Sequence, residues 1–562
     1  MLLKNIKFIL AVIFIFYQTS IYSKSTSLEK FDSNNFSKYF SGIVALENRK
    51  NSDALDFFDS SKTLIDKHDP YFKKYISSLI LENEILKAIN LIKYNKNKRI
   101  INFFEAYLLL SIDSIKKNEL DNANEYLEIA FSFIDNDTIN TAILETLKQY
   151  IFVFKENKIL DNQKNFGNLS LISKTFQKCF LNDSKTDAYF INLINDNEAD
   201  FSRYIFFYTS YLIENNRLKD AYEVTNDINS LNSTLLLSQA KNWLKTDNLK
   251  RFKQIFSCKN KNDIISEFLF LISNLYSSYE NLEKSNIYLN LSYYLNPKFI
   301  FNLSLVSENY FLNEDYVKTK KILKEFKKED IFYYWYRVKT EAQIITKIKN
   351  QEQSLNYVIK KFNEFEKPNQ KMIFDLANYY KNSKKYELAI ENYTILINEL
   401  ENDLILKSDL LYRRGGSYER MKDYYNADKD LQKSLTINPD DSYVLNYLAY
   451  SWLERDHKIE EAIKMLEKAY DQESNDPYII DSMGWAYYLI GDYVKAEEFL
   501  KKAVQLMPDD PIVNDHYGDI LWKLERKIQA RYFWSTVLKM DDVEEDLLDK
   551  IKNKLIIGLE NS

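Results

Sequence analysis

The sequence predicts an all-α fold, an array of antiparallel helical hairpins stacked side by side. Three observations carry that prediction. The chain has only 8 Gly and 7 Pro among 562 residues, against 43 Tyr and 36 Phe, so helix breakers are scarce and turns should be few. A pattern of apolar and small residues recurs every 34 or 35 residues. The glycines, alanines and prolines keep one phase within that period, which coincidental spacing in an ordinary bundle would not produce. Apolar residues make up 45% of the chain and charged residues 28%, enough for a packed core and unlike a disordered polymer.

Residues 1–23 read as a secretory signal peptide. Lys4 and Lys7 precede the apolar run FILAVIFIFY at 8–17. That run is shorter than the roughly 20 residues a membrane span needs, and fits the hydrophobic region of a signal whose last residue is Ser23. No cysteine lies near the cleavage point to carry a lipid anchor. The expectation is an exported chain, periplasmic or otherwise associated with the cell envelope. Membrane association would come only through an uncleaved N-terminal segment. Cys179 and Cys258 could then pair. They are 79 residues apart in an array where neighbours touch only neighbours, so two separately buried small hydrophobes are expected.

The repeats follow in order. Over 24–134 the ladder starts at Asn35 (with Gly42, Ala54 and Phe58), Asp69 (Ala88) and Phe104 (Ser111, Ala123, Leu127 and Ala130). Over 135–265 it is degenerate, and between 135 and 201 its register is lost although helical periodicity continues. Over 266–540 it returns, starting at Ser266, Ile300, Trp335, Gln370, Ser408, Tyr443, Pro477 and Pro511. The step from Gln370 to Ser408 is longer and implies an insertion near 399–407. The clearest unit is 477–508, PYIIDSMGWAYYLIGDYVKAEEFLKKAVQLMP. Ile480, Gly484 and Tyr487 mark one helical face, Ala496, Leu500 and Ala503 a second, and Gly491-Asp492 breaks between them. Small residues at the eighth, twentieth and twenty-seventh positions allow the two helices to approach closely. Asp476 can cap the first helix and Pro477 suits its first position. Every proline lies within four residues of a unit boundary, where an array tolerates it. The tail 541–562 places Ile551, Leu555, Ile556 and Leu559 at helical spacing and reads as a helix capping the array, with docking of a partner as the alternative.

This residue set resembles the tetratricopeptide repeat family, whose pattern is W-x2-L-G-x2-Y, A-x3-F-x2-A, P. The match is strongest over 408–540 and moderate from Ser266 and over 35–130. The resemblance implies an α-solenoid, a TPR superhelix in which first helices line a concave groove and second helices the outer surface. The stretches 481–488 (DSMGWAYY) and 514–519 (NDHYGD) are similar to exported proteobacterial members, including periplasmic adaptor lipoproteins of C-terminal processing proteases. In the family, positions 2, 5, 9, 12 and 13 of each first helix face the groove. Those positions put forward Tyr447, Glu454, Tyr478, Asp481, Trp485, Tyr488, Asp515, Asp519 and Trp522. Their aromatic and acidic mixture suits a peptide with basic and apolar side chains. Repeats that clamp a C-terminal carboxylate place Lys and Asn at positions 5, 9 and 13, where unit 477–508 has Asp481, Trp485 and Leu489.

Catalytic signals are missing. A formal net charge of −6 gives no basic footprint for nucleic acid. Two cysteines and three histidines supply no conventional zinc site, and G-x-G-x-x-G, P-loop, H-E-x-x-H and G-x-S-x-G motifs do not occur. His68, His457 and His516 sit in different repeats. The acid pairs Asp440-Asp441, Asp509-Asp510 and Asp541-Asp542 precede helices and read as caps. The sequence therefore predicts a non-enzymatic scaffold or adaptor without cofactor or metal. Its expected partners are envelope proteins or a protease. The alternatives are an architectural spacer of an envelope complex, or an enzyme with its site in 135–201.

Overall fold

The computed structural model describes residues 33–559, apart from 97, 135, 136, 197–199, 227, 230, 401, 402, 541 and 542. The expected signal segment 1–23 and the acid pair Asp541-Asp542 lie outside the described residues. Among the described residues the chain is helical, with no strand, and the helices pair into stacked antiparallel hairpins: an α-solenoid. It divides into two units at Arg337/Val338, inside the helix Ile331–Ile348.

In the second unit the hairpins are Gln370–Asn382 with Tyr386–Glu399, Leu404–Arg420 with Tyr424–Ile437, and Ser442–Leu453 with Ile459–Gln472. Pro477–Leu489 with Tyr493–Leu506 and Pro511–Lys523 with Lys527–Val537 follow, and a last helix, Glu545–Ile557, closes the chain. The insertion expected near 399–407 extends the first helix of its hairpin, which begins at Leu404 rather than Ser408. Glycine at the eighth position is a steric necessity. A Cβ on Gly484 would lie 2.6 Å from Leu500 Cγ, one on Gly415 2.9 Å from Leu431 Cγ, and one on Gly42 2.6 Å from Phe58 Cε1. Where that position is Ser111, its hydroxyl donates to Ala123 O at 2.9 Å, using the same close approach. Asp476 and Asp510 each accept two backbone N–H groups at the start of their helices, and Asp441 accepts one from Val444.

The scarcity of glycine does not make turns scarce. Helices run from 6 to 19 residues, and most hairpins turn through one residue at positive φ. Glycine takes that place only at Gly491 (φ 83°); elsewhere it is held by residues such as Asn83, Asn118, Glu314, Lys384, Lys422 and Glu525. An L residue there costs on the order of 1–2 kcal/mol, which hairpin packing offsets.

The first unit departs from neighbour-only contact in two places. Cys179, in helix Asn168–Leu181, and Cys258, in the turn after Lys250–Ile255, form a disulfide with Cα atoms 5.6 Å apart. The expectation of two separate thiols is therefore corrected. Both segments pack on one aromatic cluster, in which Phe176 contacts Phe207 at 5.2 Å and Phe256 at 5.7 Å, and that shared core brings the sulfurs together. Within the same unit the early hairpins also touch helices Leu282–Leu295, Asn302–Leu312 and Tyr316–Leu323. Asn290 donates to Ile80 O at 2.8 Å, Lys318 pairs with Glu82 at 2.6 Å, and Tyr294 donates to Asp113 at 3.0 Å. The degenerate stretch 135–201 carries the helices Thr138–Glu156, Asn168–Leu181 and Thr186–Ile194, which bury Leu144, Leu147, Phe176 and Phe190.

Candidate protein-binding face

In the second unit, successive first helices touch one another: Ser442–Leu453 meets Pro477–Leu489, which meets Pro511–Lys523. Contacts between successive second helices are fewer. The array therefore curves toward its first helices, and their free side chains line the inner face.

A strip of aromatic and charged side chains runs along that face. The rings of Tyr412 and Tyr447 meet edge to face at 5.6 Å, and the Tyr447 hydroxyl donates to Glu419 at 3.0 Å. Trp485 donates its indole N–H to Glu454 at 2.8 Å, stacks on Tyr488 at 4.7 Å, and stacks on His516 at 4.1 Å. His516 Nδ1 is 2.8 Å from Asp481 Oδ2. Each link joins one repeat to the next, or closes within one.

The sequence-predicted residues take three kinds of place. Tyr478 and Glu454 are exposed. Tyr447, Trp485 and Tyr488 are half-buried, each offering part of a ring at the surface. Asp481, Asp515 and Asp519 are buried, and the protein's own groups answer them. Lys554, from the last helix, reaches Asp515 at 2.6 Å and Asp519 at 2.8 Å, while the Trp534 indole also donates to Asp519 at 3.0 Å. Trp522 is half-buried between Trp534, with ring centroids 5.4 Å apart, the Arg531 guanidinium, and Gly558, whose φ of 79° and contact with the indole leave no room for a side chain.

This knot holds the carboxyl groups of Asp481, Asp515 and Asp519 against His516 and Lys554. Burial works against the His516 imidazolium, but Asp481, then Asp515 and Asp519, outweigh it and raise the pKa above the usual histidine value. Burial and the Asp515 carboxylate raise Asp519 above the ordinary carboxylate range, with Lys554 pulling the other way. Burial pulls Lys554 down, and Asp519 and Asp515 lift it above the usual lysine value. The arrangement pairs opposite charge within the protein. Sequence reasoning missed His516 and Lys554 as members of the strip. The spacing of Leu547, Ile551 and Leu555 carries the only signal for Lys554, since it fixes which side of the last helix faces the array.

The family model described as tetratricopeptide repeat matches residues 339–539. A TPR repeat-containing protein of Pseudomonas aeruginosa is 35% identical over 111 residues, 20% of this chain and 19% of that protein, so the chain spans about a fifth of that relative's length. Among solved structures, yeast Tom70 aligns over 93% of this chain and 95% of its own at 13% identity and a TM-score of 0.35. A thermophilic TPR protein of Thermus thermophilus aligns over 34% of this chain and 100% of its own at 18% identity and a TM-score of 0.30. MamA of Desulfovibrio magneticus aligns over 31% of this chain and 97% of its own at 19% identity and a TM-score of 0.26.

Proposed function

We propose that this chain, with tetratricopeptide repeats over residues 339–539, is a non-enzymatic scaffold of the bacterial cell envelope that holds segments of partner proteins against its inner face. Tetratricopeptide repeats are in general protein-interaction modules, and arrays of this kind use their extended concave surfaces for binding. The observation that carries the reading is the half-buried ladder of Tyr447, Trp485 and Tyr488 beside exposed Tyr478 and Glu454. Tyr and Trp are enriched among the anchor residues of protein-binding sites. An exported, periplasmic location is supported by the charge and apolar pattern of residues 1–23. The Cys179–Cys258 disulfide is of the sort kept in oxidising compartments. The partners proposed are envelope proteins or an envelope protease.

The test is cross-linking in cells followed by mass spectrometry of proteins joined to the wild-type chain and to a Tyr478→Ala/Trp485→Ala variant. The variant is expected to lose the partners that wild type recovers. Identical sets would overturn the inner face as the binding site. Recovery of cytoplasmic partners alone would overturn the location.

A further inference from the structure

The last helix, Glu545–Ile557, does more than close the array. Its Lys554 is held by Asp515 and Asp519 in the final repeat, while Glu544, just before its first turn, pairs with Lys384 at 3.3 Å. Lys384 belongs to the turn of the hairpin 370–399, so one short segment bridges groups 131 residues apart in the chain. Arg420, at the end of the first helix Leu404–Arg420, also lies within electrostatic reach of Glu544. At about 1.5 Å of rise per residue, the ten residues from Glu544 to Lys554 span roughly 15 Å.

Charge order matches along that span. The segment runs Glu544, Glu545, Asp546, Asp549, then Lys550, Lys552 and Lys554. The strip opposite runs from cationic, with Lys384 and Arg420, to anionic, with Asp515 and Asp519. At the cationic end burial, then Arg413 and Arg420, lower the Lys381 pKa, with Asp409 opposing. The apolar contribution of the segment is small by comparison. Ile551 is the helix's fully buried apolar residue, Val543, Leu547, Leu555 and Leu559 pack partly on the last repeat, and Ile556 and Ile557 are exposed. Helix Pro477–Leu489, by contrast, buries four apolar side chains, Ile479, Ile480, Met483 and Ala486.

We infer that the C-terminal helix is an internal occupant of the binding face, and that the partner displacing it is a helical protein segment of the same charge order. That segment carries acids in its first turn, apolar residues at i, i+4 and i+8, and a lysine about ten residues after the leading acid. The inference rests on the reading that the inner face holds protein segments, and it names what such a segment must look like. The binding free energy of the partner is then reduced by the cost of releasing the chain's own helix.

The test uses the full chain and a fluorescent peptide copying residues 543–559. Lys554→Glu places a third carboxylate against Asp515 and Asp519 and should expel the resident helix. Hydrogen exchange is expected to show residues 545–557 unprotected in that variant while helices between 477 and 537 keep their protection. The peptide should bind the variant at least about tenfold more tightly than it binds wild type, and the same peptide carrying Lys554→Glu should bind neither. If protection is lost from 477 to 537 together with the last helix, the helix is an integral cap and the inference is overturned. It also falls if both peptides bind alike, or if neither binds the variant. Were the peptide to fail while Tyr478→Ala/Trp485→Ala still sheds partners in cells, self-occupancy alone would be lost and the scaffold reading would stand.

Discussion

His516 shows how a single residue takes its properties from three repeats at once. Asp481 comes from the preceding first helix, Asp515 and Asp519 from its own, Trp485 and Tyr450 stand against its ring, and Lys554 neutralises the far side of the acids. Because its folded pKa is raised, protonated His516 contributes stability that is complete below the unfolded histidine value of about 6.5 and is lost as pH rises through the folded value. Asp519, also raised, acts with the same sign in the acidic window just below. Urea midpoints for the second unit should therefore fall as pH rises above about 6.5, the unfolded histidine value, and His516→Gln should flatten that slope. A slope unchanged by His516→Gln would mean another group carries it. The pattern of one repeat pointed to Tyr478, Glu454 and Trp485, because a position within a first helix fixes which side it faces. It could not foresee that Asp481, Asp515 and Asp519 would be buried, since their burial is set by the next repeat and by the tail.

At the scale of the helix, two neighbouring glycines make opposite predictions. A methyl group at Gly415 would meet Leu431 Cγ at 2.9 Å and Ala427 O at 3.3 Å, in the closest part of the hairpin. At Gly416 its nearest neighbours would be the Tyr447 hydroxyl at 3.4 Å and the Tyr447 ring carbon Cζ at 3.5 Å, ordinary van der Waals contacts. Replacing glycine by alanine inside a helix gains about 0.5–1 kcal/mol of propensity. Overpacking costs about 1–3 kcal/mol. Gly415→Ala should thus lower stability and Gly416→Ala should leave it equal or raise it, as read by urea unfolding. Equal effects would show that the hairpin is less closely packed than described. Helix positions were largely legible because each hairpin repeats a steric rule: a small residue opposite a large one at a fixed offset. Gly42 and Gly484 disclosed that rule directly. The turns were not legible, because residues such as Lys384 and Glu525 take positive φ with no composition signal. In the tail the spacing that marked Ile551 and Leu555 also marked Ile556, which is 76% exposed, since a lone helix at the end of an array has one neighbour instead of two.

At the scale of the molecule, the first unit is held by links a one-dimensional reading of repeats does not contain. The Cys179–Cys258 disulfide closes a loop of 79 residues. Alkylation of the unfolded, unreduced chain should find no free thiol, and two after reduction. Replacing both cysteines by alanine should cost about 2–4 kcal/mol in the unfolding of that unit. Two reactive thiols before reduction would refute the pairing. Period and phase could give the stacking of adjacent hairpins, because each hides its apolar side on the next. They could not give the pairing of hairpins far apart in sequence, which depends on single polar contacts such as Asn290 with the Ile80 carbonyl.

Those contacts between residues 80–116 and 290–318 also fix arithmetic. An open stack can gain or lose a hairpin anywhere and merely grow longer or shorter. Here, adding or deleting one between Glu82 and Lys318 would carry the two sides of the clasp out of reach of each other. The number of hairpins in that interval is thus as constrained as the circumference of a ring, and variation in length is to be sought outside it.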